Sequence, residues 1–189
     1  MMFDTRLFTG LSLPPEMLAK MDALLEELMP LARIRWSQTS QLHITTKFIG
    51  KWPFSRGPEL ARYLYGFPKE PRFPVTVTGL DFRRNERNRS WLVLAKVEPS
   101  EGLVQHAAFM DDILGHYKIQ REWDDYYPHI TLGRIPGENP WPLLFQKVES
   151  ESDRQFGSFE PAEYHLYEST PSGYKQYVSI PFAEPSSTL

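Results

Sequence analysis

Two of the five histidines in this sequence sit in the same setting. One begins His43-Ile44-Thr45 and the other begins His129-Ile130-Thr131. Side chains alternate between the two faces of a strand. His43 and Thr45 therefore share one face, and His129 and Thr131 share another, while Leu42, Ile44, Ile130 and Leu132 point to the core. Imidazoles titrate near neutral pH. A pair of them can take a proton from water and give one to a departing oxygen. Threonine hydroxyls can donate hydrogen bonds to the non-bridging oxygens of a phosphate. Opening a cyclic phosphodiester needs these parts and no metal, because phosphoryl transfer rests on positioning and charge stabilisation. One His-x-Thr alone is a weak signal, and a satisfied structural histidine is its ordinary explanation. Two copies make a stronger one.

The elements around the two tripeptides also repeat. A strand over Phe3–Leu13 is followed by Pro14 and Pro15, which suit a helix start because a missing N–H costs nothing there. Met17, Leu18, Met21, Leu24, Leu25, Leu28 and Met29 then form one apolar helical face that ends at Pro30. A short strand at Arg33–Trp36 and a longer one at Leu42–Ile49 follow. In the second half, Phe73–Phe82 and Trp91–Val97 read as a hairpin. Ser100 is a good helix cap. Leu103, Ala107, Met110, Leu114 and Tyr117 form a second apolar stripe, and Tyr126–Ile135 is a strand. His43 lies 29 positions after Pro14, and His129 lies 29 positions after Ser100. The chain therefore reads as two similar lobes with a histidine at the same place in each. Pro58–Tyr65 is a weak helix. Gln146–Ser150, Glu160–Tyr167 and Gln176–Phe182 read as further strands, and residues 184–189 as a disordered tail.

Bulk properties narrow the classes of function. The chain has 189 residues and a net charge of −3, so no global field draws in a long nucleic acid. A nucleic-acid substrate is expected to be gripped locally, at its end. The absence of cysteine excludes disulfides, thiolate zinc sites and a cysteine nucleophile. No apolar run is long enough to span a bilayer, and the start lacks a signal-peptide pattern, so a cytoplasmic protein with no membrane partner is expected.

These residues resemble those of the two-histidine (2H) phosphoesterases, and within them the LigT-like RNA 2′,3′-cyclic phosphodiesterases first described as 2′-5′ RNA ligases. Arg6-Leu7-Phe8 with Leu11-Ser12-Leu13-Pro14 is similar to the family's opening strand. Leu42-His43-Ile44-Thr45, continuing to Lys47-Phe48-Ile49-Gly50, resembles its first motif, and Pro128-His129-Ile130-Thr131-Leu132-Gly133-Arg134 its second. Leu166-Tyr167-Glu168-Ser169, Gly173 and Tyr177 resemble its closing strands. The resemblance implies an α+β fold: a single bilobal domain over residues 1–183, with two pseudo-symmetric antiparallel sheets flanking a central cleft and helices outside. It implies His43 as general acid, His129 as general base, and Thr45, Thr131 and Arg134 as phosphate-binding residues. The implied activity is metal-independent hydrolysis of 2′,3′-cyclic phosphate ends of RNA, or of small cyclic nucleotides, to 2′-phosphates, with 2′-5′ ligation as its reverse. No cofactor is implied. The expected partners are RNA 3′ ends or cyclic nucleotides, and the chain is expected to be a monomer.

Two departures bear on the site. The residue after Thr45 is the polar Thr46 where the family usually has an apolar one. Strict alternation also puts Arg134 opposite His129, unless the strand breaks at Gly133. Regular alternation puts Lys47 on the face of His43, as a phosphate ligand or a rim residue. Trp123, Tyr126 and Tyr127 precede the second motif and could stack a base, although core packing claims at least one. Arg83, Arg84, Arg87 and Arg89 mark a hairpin connection that is either a phosphate grip or a solvated tip. His106, His116 and His165 lack the motif and read as helix-surface or strand histidines. Rival readings are a 2H enzyme acting on ADP-ribose cyclic phosphate or 2′-5′ oligoadenylate, an RNA-end-binding module without catalysis, and a metal site on His43 and His129. The last is weak, because no carboxylate or cysteine joins either histidine at ligand spacing.

Overall fold

The computed structural model describes residues 4–85, 90–121, 126–137 and 141–184. Among the described residues, nine strands form one antiparallel sheet, with four α-helices packed against it. The strands are β1 (Asp4–Ser12), β2 (Arg35–Trp36), β3 (His43–Pro53), β4 (Val75–Asn85), β5 (Ser90–Val97), β6 (His129–Ile135), β7 (Gly157–Phe159), β8 (Glu163–Thr170) and β9 (Gly173–Pro181). The helices are α1 (Pro15–Leu28), α2 (Gly57–Tyr65), α3 (Glu101–Gly115) and α4 (Pro142–Ser150). Their spatial order is β7-β4-β5-β6-β3-β1-β8-β9, and the two-residue β2 pairs with β6. The expected α+β class holds. The two halves meet at β3 and β6, where Ile44 pairs with Ile130, so the sheets of the two lobes are continuous.

Local chemistry explains most elements. Pro14 occupies the N-cap of α1 and Pro15 its first position, and Met17, Met21, Leu24, Leu25 and Leu28 are all buried. Ser100 occupies the N-cap of α3, but its side chain makes no cap hydrogen bond; its Oγ donates to the Pro74 carbonyl at 2.9 Å. One expected strand is a helix. Gln146–Ser150 belongs to α4, which Pro142 starts and Leu144 and Val148 anchor from one buried face. Lys147 and Glu151, four residues apart, pair at 2.6 Å, as a helical surface allows. The true strand there is the short β7. The Ala183 N–H donates to the Glu70 carbonyl at 2.8 Å, and in the expected tail Glu184 pairs with Arg72 at 3.2 Å. Residues 185–189 lie outside the described residues.

Both motif strands carry a β-bulge, an extra residue that reverses the alternation beyond it. On β3, Gly10 faces Thr45 and Thr9 faces Lys47, so Thr46 is extra. On β6, Leu94 faces Thr131 and Val93 faces Gly133, so Leu132 is extra. Each bulge falls three positions after its histidine. Thr46 is buried and shares a hydrogen bond of 2.8 Å with the buried Thr9, which accounts for a hydroxyl at a core position.

Candidate active site

The bulges decide which residues share the face of the histidines. Beyond Leu132, Arg134 returns to the side of His129 and Thr131. Its charge is felt at both His43 and His129. Gly133 permits this turn where β2 crosses, because a Cβ there would sit 2.9 Å from the Trp36 ring and 3.0 Å from Ile34. Lys47 goes the other way. It is buried, forms an ion pair with Asp111 of α3 and donates to the Gln120 carbonyl at 2.8 Å. The bulge at Thr46 turns it off the face it was expected to share with His43, and Phe48, 58% exposed, stands on that face instead.

The two histidines are held alike. Nδ1 of His43 donates to the Gln41 carbonyl at 2.8 Å, and Nδ1 of His129 donates to the Tyr127 carbonyl at 2.8 Å. A carbonyl can only accept, so each ring carries its proton on Nδ1 and keeps Nε2 as its reactive nitrogen. Burial lowers the His43 pKa to about 4, with the charges of His129 and Arg134 adding to the effect against the backbone hydrogen bond. Burial also lowers that of His129, helped by Arg83 and Arg134. Both rings are neutral in the free protein at pH 7.

The register around Ile44 and Ile130 sets the threonines. Antiparallel pairing at that point brings His43 level with Thr131, and Thr45 level with His129. The two half-sites thus face each other about a local two-fold. Tyr126 donates its hydroxyl to the Thr45 carbonyl at 2.9 Å, and Ser37 donates to the Thr131 carbonyl at 2.8 Å, so both threonine backbones are pinned.

The surroundings of the two rings differ. Against His43 lie Phe8 and Tyr174, each with its ring centroid at 4.8 Å, and Tyr167 at 5.4 Å. Near His129 lie Tyr127 at 6.0 Å and the Arg83 guanidinium, 4.6 Å above the Tyr127 ring. Tyr127, 36% exposed, also donates to Asp81 at 3.2 Å. One face of the ring expected to stack a base is therefore covered by a cation. Arg83 is placed at the site; Arg84 is exposed, and Arg87, Arg89 and Trp123 lie outside the described residues. His106 is buried on α3 and bonded to Glu70 at 2.9 Å, not on the surface as expected. His165 is a buried strand residue held between Ser12 at 3.0 Å and Ser179 at 2.9 Å.

Several site residues escaped the sequence reading. Gln41 holds His43 by its carbonyl while its side-chain oxygen accepts the Tyr174 N–H, which clips the β8–β9 turn to His43. Gly173 at that turn has φ +131, and a Cβ there would lie 2.6 Å from the Gln41 oxygen, so the clip requires glycine. Tyr127 plays the matching part for His129. The signal was present as a residue two positions before each histidine, but only the structure gives it meaning. Among the described residues, no group of three His, Asp or Glu side chains could hold a metal ion. Nor is any described helix long and apolar enough to cross a membrane.

The family model for the 2′-5′ RNA ligase superfamily matches residues 14–171. A protein of Methanocaldococcus jannaschii described as an RNA 2′,3′-cyclic phosphodiesterase is 25% identical over 166 residues, covering 87% of this chain and 91% of that one. One of Aeropyrum pernix with the same description is 28% identical over 134 residues, covering 70% and 74%. The solved structure of Escherichia coli LigT complexed with 3′-AMP superposes with a TM-score of 0.73 at 22% identity, covering 96% of this chain and 100% of that one.

Proposed function

Because the chain belongs to the 2′-5′ RNA ligase superfamily of two-histidine phosphoesterases, we propose that it hydrolyses 2′,3′-cyclic phosphate ends of RNA, or small cyclic nucleotides, to 2′-phosphates without a metal. The observation that carries this reading is the identical tethering of His43 and His129 through Nδ1 on facing half-sites, with Arg134 acting on both. A reaction that moves one proton onto the enzyme and another off it uses two such groups.

In the proposed step, Nε2 of His129 takes a proton from water as the water oxygen bonds to phosphorus. The bond from phosphorus to O3′ breaks, and His43 protonates that oxygen. The acid must be charged beforehand, although burial disfavours this. The anionic phosphate supplies the compensating charge, so substrate binding itself loads the acid. Arg134 neutralises the non-bridging oxygens while Thr45 and Thr131 donate to them. A 5′-hydroxyl in place of water gives a 2′-5′ linkage by the same proton transfers.

The test uses an oligoribonucleotide ending in a 2′,3′-cyclic phosphate, with chelator present and the product identified by phosphorus NMR. A 2′-phosphate formed by wild type, and not by His43→Ala or His129→Ala, is expected. A 3′-phosphate, or full activity in either variant, overturns the assignment.

A further inference from the structure

Three adjacent strands, β3, β1 and β8, carry the sheet outward from His43, and the register between them sets their side chains in rows. One row is Phe48, Phe8 and Tyr167. It reaches the imidazole, because Phe8 lies 4.8 Å from His43 and stacks on Tyr167 at 5.0 Å. The next row outward is Lys51, Arg6 and Ser169. Alternate residues of a strand share a face, and so do residues paired directly across it. Arg6 therefore stands on the face of Phe8, with Lys51 on one side of it and Ser169 on the other. The chemistry changes between the two rows. The first is all rings, and the second is all hydrogen-bond donors.

The cations of the second row have no partner in the fold. Arg6 and Lys51 are exposed, and among the described residues neither makes a hydrogen bond or an ion pair. Like charges set directly opposite each other destabilise a sheet. Neither nearby carboxylate relieves them. Glu168 accepts the Thr5 hydroxyl at 2.8 Å on the other face, and Asp4 stands one row further out, opposite Pro53. The chain as a whole carries a net charge of −3, so this is a local concentration of positive charge against the overall sign.

We propose that Lys51, Arg6 and Ser169 form a second phosphate site, which holds the phosphodiester on the 5′ side of the terminal nucleotide, so that the substrate is an oligoribonucleotide and not a free cyclic nucleotide. Rows two residues apart on a strand are about 7 Å from each other, and the side chains of Arg6 and Lys51 can lean back across part of that gap. An RNA whose cyclic phosphate lies between the histidines leaves them as a chain of phosphodiesters. Along β1, the first charges it meets beyond the rings are these two cations. Arg6 can take a phosphate through two parallel N–H groups and Lys51 as a point charge, while the Ser169 hydroxyl can donate as well. Such a grip holds the backbone and reads no base. This deepens the proposed reaction and rests on it.

The experiment compares cytidine 2′,3′-cyclic phosphate with a cytidine trinucleotide ending in the same group. Wild type is expected to prefer the trinucleotide by about tenfold or more in kcat/KM, carried by KM. The preference should shrink between about 50 and 200 mM salt, because phosphate contacts release counterions. Arg6→Gln with Lys51→Gln should erase it. The same double variant should melt no lower than wild type, since it removes a repulsion, and this separates a lost grip from a damaged fold. Equal efficiency of wild type on both substrates, a preference that the double variant keeps, or an equal loss on both substrates in that variant overturns the second site. Should wild type turn over neither substrate, the reaction fails and the second site is read by binding. Calorimetric titration with a trinucleotide ending in a 2′-phosphate and with cytidine 2′-monophosphate then supports it if the longer ligand binds more tightly and the double variant removes the difference, and overturns it otherwise.

Discussion

Ile44 and Ile130 face each other across the junction of β3 and β6, and both are fully buried. This one pairing fixes the site. It sets the two His-x-Thr motifs antiparallel, so that each histidine stands level with the threonine of the other motif. Both isoleucines point to the core while their neighbours point to the cleft. A one-residue slip would turn all four polar side chains inward.

Removing either imidazole is expected to lower kcat by about 10²–10⁴-fold. His43→Ala and His129→Ala should keep a native circular dichroism spectrum. The double variant should be little worse than either single one, because groups that act as a unit are not additive. Steady-state kinetics on a cyclic-phosphate substrate measures this, and a merely partial loss in both single variants would count against an acid–base pair.

Folding stability should fall in acid, and the sign follows from the depressed pKa of His43. The unfolded chain takes up this proton near the ordinary imidazole value of 6.5, and the folded protein only near 4. Stability is thus lost as pH falls from 6.5 towards 4, by about 3 kcal/mol for this group. Melting temperatures of wild type and His43→Gln across that window isolate the effect, because other groups cancel in the comparison. The variant should lose less on acidification.

Anion binding should take up protons. Both histidines are neutral in the free protein at pH 7, and a bound phosphate favours the charged imidazole. Inorganic phosphate should bind more tightly as pH falls from 8 to 6. Calorimetry in buffers of different ionisation enthalpy reads the uptake directly, and zero net uptake would remove substrate loading of the acid from the mechanism.

Arg134→Ala should release part of the depression of both histidines, because its charge lowers each. Both imidazole titrations, followed by NMR, should move upward. Catalytic efficiency should still fall by about tenfold or more, since a charge-assisted hydrogen bond to the phosphate is lost. Unmoved titrations would place the guanidinium away from the rings.

Lys47 should matter for stability and not for phosphate. Lys47→Ala strands Asp111 beneath the sheet, and breaking a buried pair costs about 3–5 kcal/mol. KM should stay within about twofold, a bound that reflects the absence of any lost phosphate hydrogen bond. Replacing both partners, as Lys47→Met with Asp111→Leu, should restore much of the stability. A rise in KM in the double variant would return Lys47 to the site.

The sequence made the parts visible where a short-range rule governed them. Alternation around His43 and His129 gave their face, the prolines gave the helix starts, and the repeat gave two lobes. It gave only hints where one residue of register decided the outcome. Thr46 stood out as a polar residue at a core position and Gly133 as a place for the strand to break, but neither specifies a bulge, and the first bulge removes Lys47 from the cleft while the second delivers Arg134 to it. Gln146–Ser150 reads as a strand only apart from the residues before it; taken from Pro142, the four-residue spacing of Leu144 and Val148 marks a helix. Phe8, Tyr167 and Tyr174 reach His43 from strands far apart in the chain, so no local pattern marks them.

The helices also tie the two halves to each other. Lys20 of α1, in the first half, donates to the Phe156 carbonyl at 2.6 Å, and Glu27 pairs with Lys147 at 3.1 Å and Arg154 at 3.5 Å. Asp111 of α3, in the second half, holds Lys47, and Ile113 accepts the Tyr63 hydroxyl at 2.8 Å. Each repeat thus lends its helix to the other. Neither can bury its own sheet alone, and the pairing of β1 with β8 joins segments more than 150 positions apart. Such distant pairing raises the mean sequence separation of the contacts, which slows folding.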